Sequence, residues 1–448
     1  MKSESEMADV VVVGGGIAGL AAARDLAEAR RRVLLVESRN RLGGRIFTRR
    51  PAGWPAPVEL GAQFVHVGNE DLWRLLRAAR TRVLKVPPTH WRSSRGVVSR
   101  ISDLDNEIAS VTRLIDSRKA GRLSFAEYFE RNPAGVAKDA WMLARSFVEG
   151  FEAAPMREIS ARSLASEEME EGKQFMVPNG YDRPVAFLAS ECLRLGVGIF
   201  QGTAVECVKW KRGRVCVNAV DDVTGSPRIF WAKAAVIALP LGVLKAGGGR
   251  GAVSFRPSLG AKRAVIARMG MGEVTRLVFR FSASHWKRML PVVFRCRRPG
   301  GFGFIHSAAA DVPVWWSLSD QPVVVGWAGG PQAMALGRLS PARRKRRALC
   351  SLAKVLGVRL SVVTAGGVDM LEWEWSRDPY ARGAYSFTAA GQDAAARKLA
   401  RPLKGTLFFA GEATAEGSEV GTVHGALKSG RRAAKEVLFL LRGAARGS

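Results

Sequence analysis

The chain begins with apolar and polar segments in the order strand, turn, helix, strand. Residues 10–13 are an uninterrupted valine run, which is typical of a strand buried on both faces. Gly14-Gly15-Gly16-Ile17-Ala18-Gly19 follows, and apolar residues at helical spacing continue from Ile17. A second apolar run, Val33–Val36, ends in Glu37. This order predicts the start of a doubly wound α/β domain with a parallel sheet.

The glycines of this turn have the G-x-G-x-x-G spacing of a dinucleotide site. Gly14 allows the tight turn, Gly16 lets a pyrophosphate approach the backbone, and Gly19 lets the helix pack closely on the strand. The N-terminus of that helix points free N–H groups at the phosphates. Glu37 lies about 20 residues further on, where a carboxylate accepts the ribose hydroxyls. The alternative, a structural glycine turn, leaves Glu37 unexplained.

The residues directly after Glu37 favour FAD over NAD. Arg39-Asn40-Arg41-Leu42-Gly43-Gly44-Arg45 resembles the extended FAD fingerprint E-x-R-x-R-x-G-G-R of the flavin amine oxidase superfamily. The resemblance implies that Arg45 neutralises the pyrophosphate and that the glycines let the backbone meet the cofactor. A solvated basic loop is the alternative interpretation of this segment.

Three later segments resemble the same superfamily. Residues 58–66, VELGAQFVH, are similar to a segment that passes along the flavin ring. Residues 373–386, WEWSRDPYARGAYS, resemble the W-x-x-D-P-x-A-x-G-x-Y-S segment of polyamine oxidases and histone lysine demethylases. Residues 407–430 resemble the closing FAD motif, in which a strand leads to Glu412 and a last helix begins near Thr422. That helix N-terminus would stabilise an anionic reduced flavin.

The resemblance implies an α/β fold in which a Rossmann-like FAD-binding domain of the glutathione-reductase type is interwoven with an α+β substrate domain. We expect residues 1–75, 179–250 and 391–448 to form the FAD-binding domain. Residues 76–178 and 251–390 would form the substrate-binding domain. The apolar spacing predicts mostly helix between residues 70 and 173.

FAD is the expected cofactor. It would be noncovalent, because the closing motif lacks the cysteine that monoamine oxidases attach to FAD. For Val205 the resemblance implies a backbone contact with adenine. The expected cofactor-binding residues are Gly14, Gly16, Ile17, Ala18, Gly19, Glu37, Arg39, Gly44, Arg45, Gly61, Ala62, Gln63, Phe64, Val205, Gly411, Glu412, Thr422 and Val423.

The implied reaction is oxidation of an amine to an imine by hydride transfer from the α-carbon to flavin N5, with O2 reoxidising the flavin to give H2O2. The expected catalytic residues are Arg276, Thr422 and Trp375. Two alternatives stay open: a superfamily desaturase or dehydrogenase that acts on C–C bonds, and a redox-inert flavin protein that binds nucleic acid.

The chain departs from the family at the catalytic positions. Arg276 stands where the family usually has a lysine over flavin N5, and arginine is larger, forked and effectively always charged. The open alternatives are that Arg276 organises a water, that it binds a substrate carboxylate, that it faces outward, or that the match to the lysine position is an alignment slip. Thr422 matches one of two aromatic residues that orient the amine in monoamine oxidases, and residues 392–398, which match the other, include no aromatic residue. A full aromatic cage is therefore not expected.

The bulk composition adds a strong positive charge and few other constraints. Lys and Arg exceed Asp and Glu by 69 to 40, a net charge of +29, which attracts anions and favours an amino acid or another carboxylate-bearing amine over a polyamine. The densest cluster, residues 343–347, has no interleaved aromatic residue, so we expect a solvated helix face and not a nucleic-acid site.

Metal, membrane and secretion signals are not found in the sequence. The cysteines are scattered and odd in number, which argues against structural zinc; they are Cys192, Cys207, Cys216, Cys296 and Cys350. No apolar run is long enough for a transmembrane helix. The charged start of the chain does not resemble a signal peptide, so the expected location is cytoplasmic.

Overall fold

The computed structural model describes residues 7–66, 69–87, 89–133, 135–166, 174–294, 302–317 and 321–444. The charged start at residues 1–6 and the end of the expected helical region at residues 167–173 lie outside this part of the chain, as does Cys296. The strands, in chain order, are β1 (Ala8–Val13), β2 (Val33–Val36), β3 (Thr48–Arg49), β4 (Val58–Glu59), β5 (Phe64–His66), β6 (Leu84–Lys85), β7 (His90–Ser94), β8 (Val97–Ile101), β9 (Gln174–Met176), β10 (Gly198–Phe200), β11 (Thr203–Lys211), β12 (Arg214–Asp221), β13 (Pro227–Ile237), β14 (Ser254–Arg256), β15 (Gly270–Met271), β16 (Val274–Phe281), β17 (Phe304–His306), β18 (Val314–Ser317), β19 (Val323–Gly329), β20 (Val368–Glu374), β21 (Ser386–Phe387) and β22 (Leu407–Phe409).

Helices connect and cover these strands. In chain order they are α1 (Ile17–Glu28), α2 (Glu70–Ala78), α3 (Leu104–Thr112), α4 (Ser117–Ala120), α5 (Phe125–Arg131), α6 (Lys138–Gly150), α7 (Ala161–Ser166), α8 (Asp182–Arg194), α9 (Leu241–Lys245), α10 (Ala261–Arg268), α11 (Ala283–Phe294), α12 (Gly330–Gly337), α13 (Pro341–Leu356), α14 (Leu360–Thr364), α15 (Ala395–Ala400) and α16 (Val423–Ala444).

Sheet I has the strand order β10-β2-β1-β13-β12-β11-β14, and β22 also pairs with β13. Strands β10, β2, β1, β13 and β22 run parallel, whereas β12 is antiparallel to its neighbours β11 and β13. Helices α1, α8 and α16 cover one face with a shared apolar core. The parallel strands carry apolar residues on both faces because both faces are buried. The expected doubly wound α/β domain is therefore confirmed.

Sheet II has the order β20-β16-β19-β18-β17-β7-β8. Its pairs are antiparallel except for β7 with β17. One face packs against helices α11, α13 and α14 around buried residues such as Trp315 and Phe279. The region between residues 70 and 173, predicted to be mostly helical, contains helices α2–α7 but also the strands β6, β7 and β8, which were not predicted. The residues of β7 and β8, HWRSS and VVSRI, are too polar to show a strand pattern by themselves.

The boundaries of the two expected domains stay a prediction. Strand β14 (Ser254–Arg256) lies just beyond the expected boundary at residue 250 and pairs with β11 of sheet I.

No helix in the described part of the chain is long and apolar enough to cross a bilayer.

The basic cluster at residues 343–347 lies on α13, which Ser340 caps. Arg344, however, is only 2% exposed. Its guanidinium donates to the backbone oxygens of Leu336 and Leu339 and pairs with Glu372 and Glu374 of β20. The prediction of a solvated face was wrong for Arg344, because helix geometry turns this one arginine of the cluster towards sheet II.

Candidate active site

A cavity of about 530 Å³ lies between the glycine turn of sheet I and one face of sheet II. This volume is in the usual range for small-molecule sites. Most of the predicted site residues line it: Gly14, Gly16, Ile17, Ala18, Glu37, Arg39, Gly44, Arg45, Gly61, Ala62, Gln63, Phe64, Arg276, Trp375, Gly411, Glu412, Thr422 and Val423. The fold thus brings segments from both ends of the chain to one place. Their individual roles stay predictions.

The glycine turn has the geometry that a dinucleotide requires. Gly14 has a φ of +107° and donates its N–H to the carbonyl of Val36 at 2.8 Å. A Cβ at Gly16 would meet nothing within 4 Å, so open space lies in front of this backbone. A Cβ at Gly19 would lie 1.9 Å from the carbonyl oxygen of Gly14. Gly16 therefore keeps room for a ligand, whereas Gly19 keeps room for helix packing and does not line the cavity.

Glu37 follows β2, and its carboxylate hydrogen-bonds to the backbone of the glycine turn. Its carboxylate accepts from the N–H of Gly15 at 2.7 Å and from the N–H of Arg39 at 2.9 Å, and it is 4% exposed. Each oxygen keeps a further acceptor position, which is what a ribose hydroxyl needs. Arg39 in turn donates to Asp378 at 2.6 Å, so the fingerprint arginine is tied to the 373–386 segment.

Arg45 and Glu412 form an ion pair at 2.8 Å across the cavity. The second carboxylate oxygen of Glu412 accepts from the Ser386 hydroxyl at 2.5 Å and from the N–H of Gly421 at 3.2 Å. Glu412 therefore joins the first and last FAD-like segments directly. The positive charge of Arg45 remains partly accessible, since 22% of its side chain is exposed.

Arg276 points into the cavity and is 2% exposed. Its Nη1 donates to the carbonyl of Gly61 at 3.2 Å, and its Nη2 donates to the side-chain oxygen of Gln63. The guanidinium lies 5.3 Å from the ring centroid of Trp316. Burial lowers the pKa of Arg276 to about 10, against the opposing attraction of Glu59, so the side chain stays charged at neutral pH. The outward-facing alternative for Arg276 is therefore wrong.

Trp375 and Thr422 both support the backbone around the cavity. Trp375 donates its indole N–H to the carbonyl of Leu60 at 3.0 Å, and a Cβ at Gly61 would lie 1.9 Å from the carbonyl oxygen of Arg45 and 3.1 Å from the Trp375 ring. Thr422 precedes α16, which begins at Val423, and its hydroxyl accepts the N–H of Gly425 at 3.0 Å and donates to the carbonyl of Glu419 at 2.7 Å. The hydroxyl of Thr422 thus caps the helix that faces the cavity.

Val205 is the other predicted residue that does not line the cavity. It lies on β11, opposite Ala219 of β12 and directly before a bulge in the pairing. Its predicted contact with adenine stays a prediction.

Sequence reasoning missed an aromatic wall on sheet II. The ring centroids of Phe304 and Trp316 lie 5.7 Å apart, and Phe64 packs 5.9 Å from Phe304 and 5.8 Å from Trp316. Trp327 and Tyr385 also line the cavity, whereas no residue between 392 and 398 does. Phe304, Trp316 and Trp327 come from strands that share no motif, and the strand register brings them together. Phe64 and Tyr385, by contrast, lie in the segments 58–66 and 373–386 that resemble the family.

Four histidines also line the cavity and were given no firm role. His90 Nδ1 lies 3.0 Å from His306 Nε2, and the rings of His66 and His424 lie 6.0 Å apart. Burial lowers the pKa of all four, to about 4 for His90 and His424. These side chains are therefore neutral at neutral pH.

Within the described residues, no group of three or more His, Cys, Asp or Glu is arranged to hold a metal ion.

The residues present fit FAD. The open space in front of Gly16, the acceptors of Glu37 and the accessible charge of Arg45 match the phosphates and ribose of a dinucleotide. The N-terminus of α16 and the Gly61–Gln63 backbone border the same cavity further along, where a flavin ring would lie. Sheet I and this site together define a flavin-binding α/β oxidoreductase.

A family model described as flavin containing amine oxidoreductase matches residues 17–438. The chain belongs to this family of flavin-containing amine oxidoreductases, and FAD is its cofactor. The amine-oxidase resemblance of its motifs is confirmed.

The chain is similar to named relatives over nearly all of its length. It is 29% identical to polyamine oxidase 3 of Oryza sativa subsp. japonica, over 97% of this chain and 90% of that protein. It is also 29% identical to lysine-specific histone demethylase 1 homolog 2 of Arabidopsis thaliana, over 98% of this chain and 59% of that longer protein.

Two groups of solved structures show the same fold. A putrescine oxidase bound to putrescine superposes with a TM-score of 0.77 at 21% identity, covering 96% of this chain and 99% of that one. Cyclohexylamine oxidase from Brevibacterium oxydans IH-35A superposes with a TM-score of 0.76 at 19% identity, covering 97% and 100%.

Proposed function

We propose that this protein oxidises a small-molecule amine to an imine with O2 as electron acceptor, releasing H2O2. One observation carries the proposal: a single cavity joins the dinucleotide turn at Gly16 to an aromatic wall that ends at Arg276. Bound FAD supplies the two-electron acceptor for this oxidation. The aromatic side chains exclude water from the amine and hold its carbon chain.

Arg276 sets the protonation state of the bound amine in this proposal. A guanidinium that stays charged in an enclosed site disfavours a second cation nearby and lowers the pKa of a bound ammonium. The neutral amine, whose nitrogen keeps its lone pair, is the form that gives up hydride from the α-carbon. Glu59 attracts this charge without a direct contact, and burial raises the pKa of Glu59 itself to about 7.

The contacts of Arg276 leave part of its donor set open. Its Nη1 donates to the carbonyl of Gly61, its Nη2 donates to Gln63, and its Nε is enclosed with no partner among the described residues. A guanidinium carries five N–H donors, so these two hydrogen bonds do not exclude a substrate carboxylate. Carboxylate-bearing amines therefore stay among the proposed substrates.

We propose that FAD is held noncovalently. No cysteine is among the described residues that line the cavity, and a covalent thioether needs a cysteine sulfur beside the ring. Acid precipitation of the flavin-loaded protein should leave the flavin in solution; flavin that stays with the precipitate contradicts this part of the proposal.

The test is the absorption spectrum of the purified protein during anaerobic addition of amines and amino acids. We expect the flavin bands to bleach with an amine, and H2O2 to form in equal amount when air is admitted. Matched N-acetylated compounds, which lack a basic nitrogen, should cause no bleaching. Flavin bands that no amine bleaches, but that a C–C substrate does, would overturn the proposal.

A further inference from the structure

The antiparallel part of sheet I has one face in the core and one face towards solvent. Val208 of β11, Val215 of β12 and Phe230 of β13 are buried in the apolar core on one side. Because side chains alternate along a strand, the residues between them point to the opposite side. Most of those residues are exposed or half-exposed. We call this solvent-facing surface of β11, β12, β14 and the first half of β13 the outer face.

Cations lie on neighbouring strands of the outer face. The strand register places Lys211 beside Arg214 and Lys209 beside Arg256. Three of these side chains are exposed, and Arg214 is half-exposed. Within the described residues, none of the four is paired with a carboxylate, since the ion pairs of this region involve other residues. Their charges are therefore available to a partner.

Few negative charges oppose these cations. Lys233 of β13 also faces outward but is paired with Asp9 at 3.0 Å. Glu206, at the bulge of β11, is an exposed carboxylate at the border of the outer face. Arg212, at the tip of the hairpin between β11 and β12, adds a further exposed cation without a carboxylate partner among the described residues. The outer face thus keeps a net positive charge.

An aromatic side chain lies among the cations of the outer face. Trp231 of β13 is half-exposed and lies opposite Cys216 of β12. The guanidinium of Arg214 lies 4.8 Å from the ring centroid of Trp231. Unpaired nucleic-acid bases stack on tryptophan rings and on arginine guanidinium planes. The outer face therefore combines cations with a stacking surface, whereas the basic cluster at residues 343–347 has no interleaved aromatic residue.

We propose that the outer face binds single-stranded nucleic acid without sequence preference. The cations neutralise backbone phosphates, and the stack of Arg214 on Trp231 holds a base. A duplex fits less well, because its bases are stacked on each other and because four strands span about 14 Å, more than the width of the major groove of about 12 Å. A bilayer also fits less well, since Ile229 is the one large apolar side chain that these four strands expose.

The outer face lies away from the candidate active site. Val215, next to the hairpin tip, pairs with Ala232, which in turn pairs with Ala8 at the start of β1. The glycine turn follows Val13 at the opposite end of β1. The cations and the tryptophan of the outer face are not among the described residues that line the cavity. Nucleic-acid binding is therefore independent of the proposed amine oxidation and can be measured separately from it.

The experiment measures the fluorescence anisotropy of a labelled oligo-uridine during titration with the FAD-loaded protein at several salt concentrations. We expect a dissociation constant of about 1–100 μM at about 0.15 M salt, as is typical of nonspecific binding. If the five cations without a carboxylate partner each neutralise one phosphate, the logarithm of the affinity should fall with the logarithm of the salt concentration with a slope of about −3.5. A labelled duplex of equal length should bind more weakly.

Two variants and one control assign the binding to the outer face. The double variant Lys209→Gln with Lys211→Gln removes two cations, so the salt slope should become shallower by about 1.4. Trp231→Leu removes the stacking ring, so it should weaken binding about fivefold or more and leave the slope unchanged. The double variant Arg343→Gln with Arg346→Gln removes two exposed cations of α13; it is the matched control and should change neither quantity.

A further variant and a folding check keep the test of Trp231 decisive. Trp231→Phe keeps an aromatic surface and should retain most of the affinity, even if Trp231→Leu disturbs the sheet. Flavin content and urea unfolding show whether each variant is folded.

Other outcomes overturn the proposal. Equal weakening in the α13 control would mean attraction by the net charge alone. A duplex that binds as tightly as the single strand, or binding that does not respond to Trp231→Leu, would mean attraction to phosphates without a stacked base. Binding of phosphatidylserine vesicles through Lys209 and Lys211, with no binding of oligo-uridine, would mean a membrane partner. Failure of the proposed amine oxidation would appear only in flavin bleaching and not in this titration.

Discussion

Arg276 and Gln63 are hydrogen-bonded across the cavity, from β16 of sheet II to the segment between β4 and β5. The same guanidinium holds the carbonyl of Gly61 at 3.2 Å. Through these two hydrogen bonds Arg276 connects the two parts of the site.

Replacing Arg276 by lysine should increase the rate of flavin reoxidation. In Arg276→Lys the positive charge remains, but a single ammonium cannot reach both acceptors, and the smaller group leaves space for a water. We expect the second-order rate constant with O2 to rise on the order of tenfold, a barrier change of about 1.4 kcal/mol. Stopped-flow mixing of the reduced protein with O2 measures it.

Arg276→Met is the matched control for this prediction, because it removes the positive charge as well as the hydrogen bonds to Gly61 and Gln63. Its reoxidation should be no faster than that of the native protein. If Arg276→Met accelerates as much as Arg276→Lys, the retained charge plays no part in reoxidation and the prediction is wrong.

Two glycines of the same motif should respond oppositely to an added methyl group. Gly16→Ala puts a methyl into open space, so the free energy of unfolding of the FAD-free protein should change by less than about 0.5 kcal/mol. FAD affinity should fall at least about tenfold, since the methyl occupies the space in front of the backbone. Titration of FAD-free protein and urea unfolding measure the two quantities.

Gly19→Ala instead drives a methyl against the Gly14 carbonyl oxygen. It should destabilise the FAD-free fold by about 1–3 kcal/mol or more, as overpacking does. Unchanged stability of Gly19→Ala would contradict its role in helix packing, and unchanged FAD affinity of Gly16→Ala would contradict its role in ligand approach.

Arg344 should be the one arginine of its cluster that matters for stability. Arg344→Met removes one of the two arginines that pair with the 8% exposed side chain of Glu374, and Arg377 remains at 2.7 Å. We therefore expect a cost of about 3 kcal/mol, the lower end for a broken buried pair. Arg346→Met, on the exposed face of the same helix, should cost less than about 0.5 kcal/mol. Urea unfolding at equal FAD saturation compares them, and equal effects would contradict the buried network.

Stability should depend on pH through the cavity histidines. Burial lowers the pKa of His306 to about 3, below the value of about 6.5 in the unfolded chain. Below pH of about 6.5 the unfolded state therefore binds more protons at this site, and its contribution to stability is lost as the pH falls. Glu59, whose pKa burial raises to about 7, acts in the opposite direction, so only a difference between variants isolates the histidine.

His306→Phe is the variant for this comparison. Relative to the native protein, its urea midpoint should fall less, or rise more, between pH 7 and pH 5. Parallel pH profiles for the two proteins would show that His306 titrates normally in the folded state.

The sequence by itself determined the dinucleotide turn, its following helix, the closing motif and the cofactor. These features depend on contacts between residues close in the chain, such as Gly14 and Gly19, where spacing alone sets geometry. The buried parallel strands could also be predicted from the sequence, because burial on both faces favours a continuous apolar run such as residues 10–13 of β1.

Only the tertiary structure decided the substrate side of the cavity. His90 and His306 are 216 residues apart and meet because β7 pairs with β17 in one register, while a shift by one residue would turn each side chain to the other face. The strands concerned are short and carry no motif, so their local sequence does not show which neighbour they will have. Likewise, only the orientation of α13 on sheet II decided that Arg344 is buried and Arg346 is exposed. Residues 343–347 are all basic, so the sequence does not distinguish them.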